Sequence, residues 1–173
     1  MKRTCREKWR RIRYEAGCVN GTLALILSCV MLLCGALTAL SCVDGEGYAA
    51  LNVPLCSFSP FFMVLCWGIA FAVLGTSFAA ALSAPFRRDR VKTTWLLALY
   101  GAVTVLSYIW IPVACRAFAF LLGTLLIAVI LAMLALLFPL CERVSRISAW
   151  GVIGYAGWML YLLYDTFTLF LLN

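Results

Sequence analysis

Trp158, Tyr161 and Asp165 recur at intervals of three and four near the end of the chain, within the apolar run SAWGVIGYAGWMLYLLYDTFTLFLLN (Ser148 to Asn173). That spacing stacks the three side chains on one face of a helix. Two aromatic rings can hold a flat ligand by stacking, with the indole N–H as a hydrogen-bond donor. A carboxylate in an otherwise lipid-soluble segment is costly and points to a polar interior rather than to lipid. Trp67 also lies several residues inside an apolar run, where its N–H needs a partner or a cavity. Trp95, Trp110 and Trp150 fall near the ends of such runs, where anchoring at the membrane interface accounts for them. Ordinary helix packing with one snorkelling carboxylate produces the same periodicity, so spacing alone leaves both readings open. Gly151, Gly154 and Gly157 form a second stripe suited to close helix contact.

Little else could do chemistry. The chain has no histidine, which removes the commonest general base and the usual proximal haem ligand. It has no Gly-rich phosphate loop, no GxSxG turn, no HExxH and no CxxC zinc pattern. No metal site and no cofactor are expected. Asp165 is nearly alone as an ionisable group inside the apolar runs, whereas an ion carrier would show several along a path.

These residues must be positioned by membrane helices. Of 173 residues, 65% are hydrophobic and 12% charged, against about a quarter charged in a soluble domain. A spanning helix needs about 20 mostly apolar residues. Five stretches qualify, at about 19–43, 60–85, 94–115, 117–140 and 148–172. The runs do not alternate as barrel strands do, and the gaps leave no room for a soluble domain. The fold class is therefore all-α: an integral membrane bundle of five transmembrane helices over 19–173, preceded by a basic arm over 1–18. The first run is too long for the apolar core of a signal peptide, and Ser41-Cys42-Val43 is a poor cleavage site.

Thirteen of the 14 Lys and Arg residues precede the first run or lie in the second and fourth gaps; only Arg116 falls on the opposite side. The positive-inside rule places the N-terminus in the cytoplasm and the C-terminus outside. The arm MKRTCREKWRRIRYE is expected to meet anionic lipid rather than nucleic acid. Most of the nine cysteines are expected to be free and buried, with a Cys42–Cys56 disulfide as an option in an oxidising exterior.

Three regions carry a resemblance. Tyr155 and Trp158 form a Y-x-x-W, Tyr161 follows three residues later, and the chain closes on Leu172-Asn173. Upstream, Tyr48, Leu51, Pro54, Phe61, Trp67, Phe71, Leu74 and Gly75 occur in order, and Ser107 precedes Trp110-Ile111-Pro112. Together these resemble the TspO/MBR family, the translocator proteins or tryptophan-rich sensory proteins. Their last helix reads roughly P-Y-x-x-W-x-x-F-A-T-x-L-N, their second helix W-x-F-x-x-V-W-T-x-L-Y-x-x-M-G and their third N-x-x-W-S-P. Gly154 stands for the Pro, Thr166 and Ser107 for Asn, Gly68 for Thr and Phe61 for the first Trp of the second helix, and the paired prolines of the first loop are lost. The sequence resembles a divergent, bacterial-type member.

The resemblance implies a five-helix bundle, commonly a homodimer, with an internal pocket closed by the first loop. Family members bind porphyrins and other hydrophobic ligands, and some bacterial ones are associated with light-dependent oxidative breakdown of protoporphyrin. Carried over by position, the ligand-binding set is Tyr48, Pro54, Phe61, Trp67, Phe71, Ser107, Trp110, Tyr155, Trp158, Tyr161 and Asp165. Trp67 and Trp158 become the catalytic rings if photochemistry occurs. The implied function is a membrane receptor for tetrapyrroles, in a bacterial cell membrane. A carrier of small hydrophobic molecules is the alternative, although no inverted repeat supports it; a structural or regulatory membrane partner is another. Ala98, Gly101 and Ala102 offer the small surface a homodimer would use.

Overall fold

The computed structural model describes residues 19–42, 51–52, 59–84 and 90–173. Five helices account for nearly all of them: α1 (Gly21–Cys42), α2 (Pro60–Ser83), α3 (Arg90–Cys115), α4 (Phe120–Val144) and α5 (Arg146–Leu172). Each is long and apolar enough to cross a membrane. The basic arm, Tyr48, Pro54 and Cys56 lie outside the described residues.

Local chemistry sets the helix ends. The Asn20 side chain accepts the Leu23 N–H at 3.2 Å and so caps α1, while the Asn20 N–H donates to Ser83 Oγ at 3.1 Å, joining the start of α1 to the end of α2. Ser59 caps α2, with Pro60 in the first turn, where its missing N–H costs nothing. Pro112 and Pro139 lie inside α3 and α4. The α3–α4 connection is tight because the Arg116 and Ala117 N–H groups both donate to the Pro112 carbonyl and Phe118 takes a left-handed φ of 50°. Only Ser145 separates α4 from α5. Its extended backbone breaks the helix, its N–H donates to the Cys141 carbonyl at 2.7 Å, and its hydroxyl accepts the Ser148 N–H. As a result α4 runs past Leu140 through Glu142 and Arg143 to Val144.

The helices pack in the order α1–α2–α5–α4–α3, with α3 closing back on α1. Consecutive helices α2 and α3 are therefore not ring neighbours; they meet across the centre through side chains. Ser77 reaches Tyr100, Phe71 stacks on Tyr108, and Trp67 lies against Trp110. Leu25, Leu37, Leu65, Val105, Leu136 and Leu160 point outward and are more than half exposed, as lipid-facing side chains of a membrane bundle are.

Small residues allow the closest approaches. A Cβ on Gly75 would lie 2.8 Å from the Ser28 Cα, so α1 and α2 touch backbone to backbone there. On α5 the expected three-glycine stripe is not one packing face. Gly151 presses on Ser77, where a Cβ would come within 2.5 Å, Gly154 has ordinary contact with Val73, and Gly157 has nothing within 4 Å. Three residues advance a helix by about 300° rather than a full turn, so a strict i, i+3 stripe drifts off the interface. Cys42 is a free thiol.

Candidate functional site

Three layers fill the centre of the ring. The first is polar. Ser77 donates to the Ser148 carbonyl at 2.7 Å, and its oxygen lies 2.6 Å from the Tyr100 hydroxyl, itself 2.8 Å from Ser148 Oγ. Each hydroxyl has one proton. With the Ser77 proton on the carbonyl, Tyr100 donates to Ser77 and Ser148 donates to Tyr100. Cys141 Sγ lies 3.4 Å from the same Tyr100 oxygen. One buried cluster thus joins α2, α3, α4 and α5, and every hydroxyl in it is satisfied.

The second layer is aromatic with a single polar link. The Phe71 ring stacks on Tyr108 with centroids 4.8 Å apart and lies 6.2 Å from Tyr155. Gly35 makes the room: any Cβ there would collide with the Phe71 ring. Tyr108 donates to the Met31 carbonyl at 3.3 Å, tying α3 to α1. Tyr155 donates to Ser107 Oγ at 2.7 Å, and Ser107 donates its own proton to the Val103 carbonyl at 2.7 Å. The Ser107 proton is therefore committed, and this residue holds Tyr155 in place.

The third layer holds the tryptophans. Trp67 is 5.3 Å from Trp110 and 6.0 Å from Trp158, the latter edge to face at 86°. Trp158 in turn stacks on Tyr161 at 5.3 Å, and Trp67 stacks on Phe71 at 5.1 Å, which connects this layer to the second. The buried indole N–H groups of Trp67, Trp110 and Trp158 have no hydrogen-bond partner among the described residues. Buried indole N–H groups are normally paired, so the three unpartnered donors make this layer the candidate site. Asp165 lies two turns beyond Trp158 on α5 and is buried, 3% exposed.

Eight of the eleven residues expected at the site are therefore central: Trp67, Phe71, Ser107, Trp110, Tyr155, Trp158, Tyr161 and Asp165. Phe61 is not brought in. At 81% exposed it faces away from the cluster, near the start of α2. Tyr48 and Pro54 lie outside the described residues.

The span-end tryptophans divide between the two readings the sequence offered, anchor by position and site residue by resemblance. Trp95 and Trp150 are 63% and 65% exposed, as interfacial rings are, but Trp110 is 3% exposed and packs against Trp67. Its place near the end of α3 suggested an anchor. The face it shares with Tyr100, Val103 and Ser107 decides otherwise, since that face points to the centre of the ring.

Sequence reasoning missed Tyr108, Gly35 and Gly123. Gly123 on α4 leaves space for the Trp110 indole, since a Cβ there would lie 3.3 Å from Trp110 Nε1 and 3.2 Å from Thr166 Cγ2. Both glycines interrupt runs of helix-favouring apolar residues, and an isolated Gly in such a run is a packing signal.

A search of curated proteins gives no match to this chain. The family model for the TspO/MBR family matches residues 22–172. Span number, aromatic centre and family model agree, and the chain belongs to the TspO/MBR family of integral membrane proteins.

Proposed function

We propose that this protein is a membrane receptor that takes a flat hydrophobic ligand, a tetrapyrrole such as a metal-free porphyrin, between α2, α3 and α5. Family membership supports a membrane sensing and binding role in general. The observation that carries the finer reading is the meeting of three buried, unpartnered indole N–H groups from three helices, α2, α3 and α5, among the described residues. Each ring offers about 0.5–1.5 kcal/mol of stacking beyond its buried area, and each N–H offers a donor to a carbonyl, carboxylate or imine nitrogen.

Metal ligation plays no part in this reading, because the chain has no histidine to serve as an axial ligand. A free-base macrocycle suits the site better than haem. Photochemical turnover of a bound porphyrin would use Trp67 and Trp158, the rings in edge contact at the centre of the cluster.

The direct test is titration of the purified protein with protoporphyrin while following tryptophan emission in the dark and then in light. Saturable quenching that disappears when Trp67 and Trp158 are both replaced by Leu supports the reading. Quenching that survives the double replacement places the ligand elsewhere.

A further inference from the structure

Asn173, the C-cap of α5, reaches back to the connection between α1 and α2. Its carboxamide oxygen accepts the Asn52 backbone N–H at 3.0 Å, and its Nδ2 donates to the Asn52 carbonyl at 3.1 Å. The other Nδ2 proton goes to the Leu169 carbonyl at 3.1 Å, which anchors the amide to the last turn of α5. Both amide protons and the oxygen are thus in use. One side chain imitates a strand neighbour by exchanging two hydrogen bonds with a single residue.

Leu51, next to Asn52, forms one wall of an apolar groove of about 720 Å³, with Phe118, Phe120, Leu122 and Phe170 among the others. That volume lies within the range of small-molecule sites. Leu122 and Phe170 are exposed, so the groove opens on the side where the helices face lipid. Its inner end approaches the tryptophans. Phe120 and Phe170 stand one turn from Gly123 and Thr166, which close around the Trp110 indole.

The walls are held in different ways. The α3–α4 turn is fixed by backbone bonds to the Pro112 and Val113 carbonyls, and the Phe118 ring meets Phe120 at 6.1 Å. Leu51 is tied to α5 through the Asn52 backbone, and Asn52 and Asn173 are both exposed. Exposed hydrogen bonds contribute little each, because water replaces them on opening. Two of them favour the closed arrangement by roughly five- to 150-fold, which holds the wall in place and still lets it open.

We propose that Asn173 is a clasp: it holds Leu51 and Asn52 across the groove, and its release admits a hydrophobic ligand from the bilayer, between α4 and α5, to the tryptophan layer. This inference rests on the proposed receptor role and gives that site its route of entry.

The test follows quenching of tryptophan emission by protoporphyrin in stopped flow, with the full chain in detergent, together with hydrogen exchange at the Asn52 amide. A clasp that does not touch the ligand favours the closed form of the free and the bound protein alike. Asn173→Ala should therefore raise the association and dissociation rates together, by about fivefold or more, and leave the equilibrium affinity nearly unchanged. The Asn52 amide should exchange faster. Asn52→Ala should match the parent, because Asn52 takes part through its backbone alone.

Faster exchange at Asn52 with unchanged binding rates overturns the entry role. A rise in dissociation alone also overturns it, since that marks weaker binding rather than an easier opening. If protoporphyrin does not quench the parent, the receptor reading fails and the entry role falls with it; saturable quenching with unchanged rates sinks the clasp alone. Thermal unfolding beside the parent reports any folding defect in Asn173→Ala. Asn173→Asp keeps the acceptor for the Asn52 N–H and removes both donors, and it should speed both rates as well.

Discussion

The Tyr155 hydroxyl donates to Ser107 Oγ across 2.7 Å, joining α5 to α3 at the centre of the bundle where both residues are wholly buried. Its two ends are unequal. Ser107 keeps its bond to the Val103 carbonyl if Tyr155 is lost, but Tyr155 loses the acceptor of its hydroxyl proton if Ser107 is lost. Tyr155→Phe should cost about 0.6 kcal/mol, the average for a hydrogen bond between membrane helices. Ser107→Ala should cost more, about 1–3 kcal/mol, because it strands a buried donor. Unfolding in mixed detergent measures both; equal losses would show that the hydrogen bond is not what joins the helices.

Trp158→Phe keeps most of the buried area and removes the indole N–H and the readily oxidised ring. Porphyrin affinity should fall by about 1 kcal/mol, and light-driven breakdown, where it occurs, should fall much further. Trp95→Phe, at a ring 63% exposed, should change neither. Identical behaviour of the two variants would remove the central site and leave interfacial anchoring as the role of both.

Gly123→Ala should disturb the tryptophan layer without touching a ring directly, since the new methyl would sit 3.3 Å from Trp110 Nε1. The expected signs are altered near-ultraviolet circular dichroism and weaker quenching by porphyrin. Gly157→Ala is the matched control. Nothing lies within 4 Å of a Cβ there, and replacing Gly by Ala inside a helix should stabilise by about 0.5–1 kcal/mol. Should the two substitutions give the same spectrum, Gly123 does not set the position of Trp110.

Reporter tags at the two termini should fall on opposite sides of the membrane, the N-terminal one in the cytoplasm. The reason is the placement of 13 of the 14 basic residues. Both tags on one side would contradict five crossings.

Gly101 has nothing within 4 Å of a Cβ, and Ala98 beside it is exposed, so this small-residue face of α3 is left unfilled by the described residues. A homodimer packed on it should dissociate when Ala102→Leu widens the approach. Mass measurement in mild detergent tests this: a dimer that survives the substitution uses another face.

The sequence by itself determined the solvent, the number of crossings and the residue types at the centre. Five long apolar runs leave lipid as the only surrounding that suits them, and Trp67, Phe71, Tyr155 and Trp158 stood out through their order and spacing. It could not determine which face of each helix turns inward. In water, hydrophobic periodicity separates core from surface, but here lipid and core are both apolar, and the runs are nearly uniform around the helix. That is why position alone read Trp110 as an anchor, where the family resemblance put it in the ligand-binding set with Phe61, whereas the ring order α1–α2–α5–α4–α3 buries Trp110 and leaves Phe61 outside. Tyr108, Gly35 and Gly123 became visible only when α1, α4 and α5 were placed against α2 and α3, because each matters through the ring it supports or makes room for.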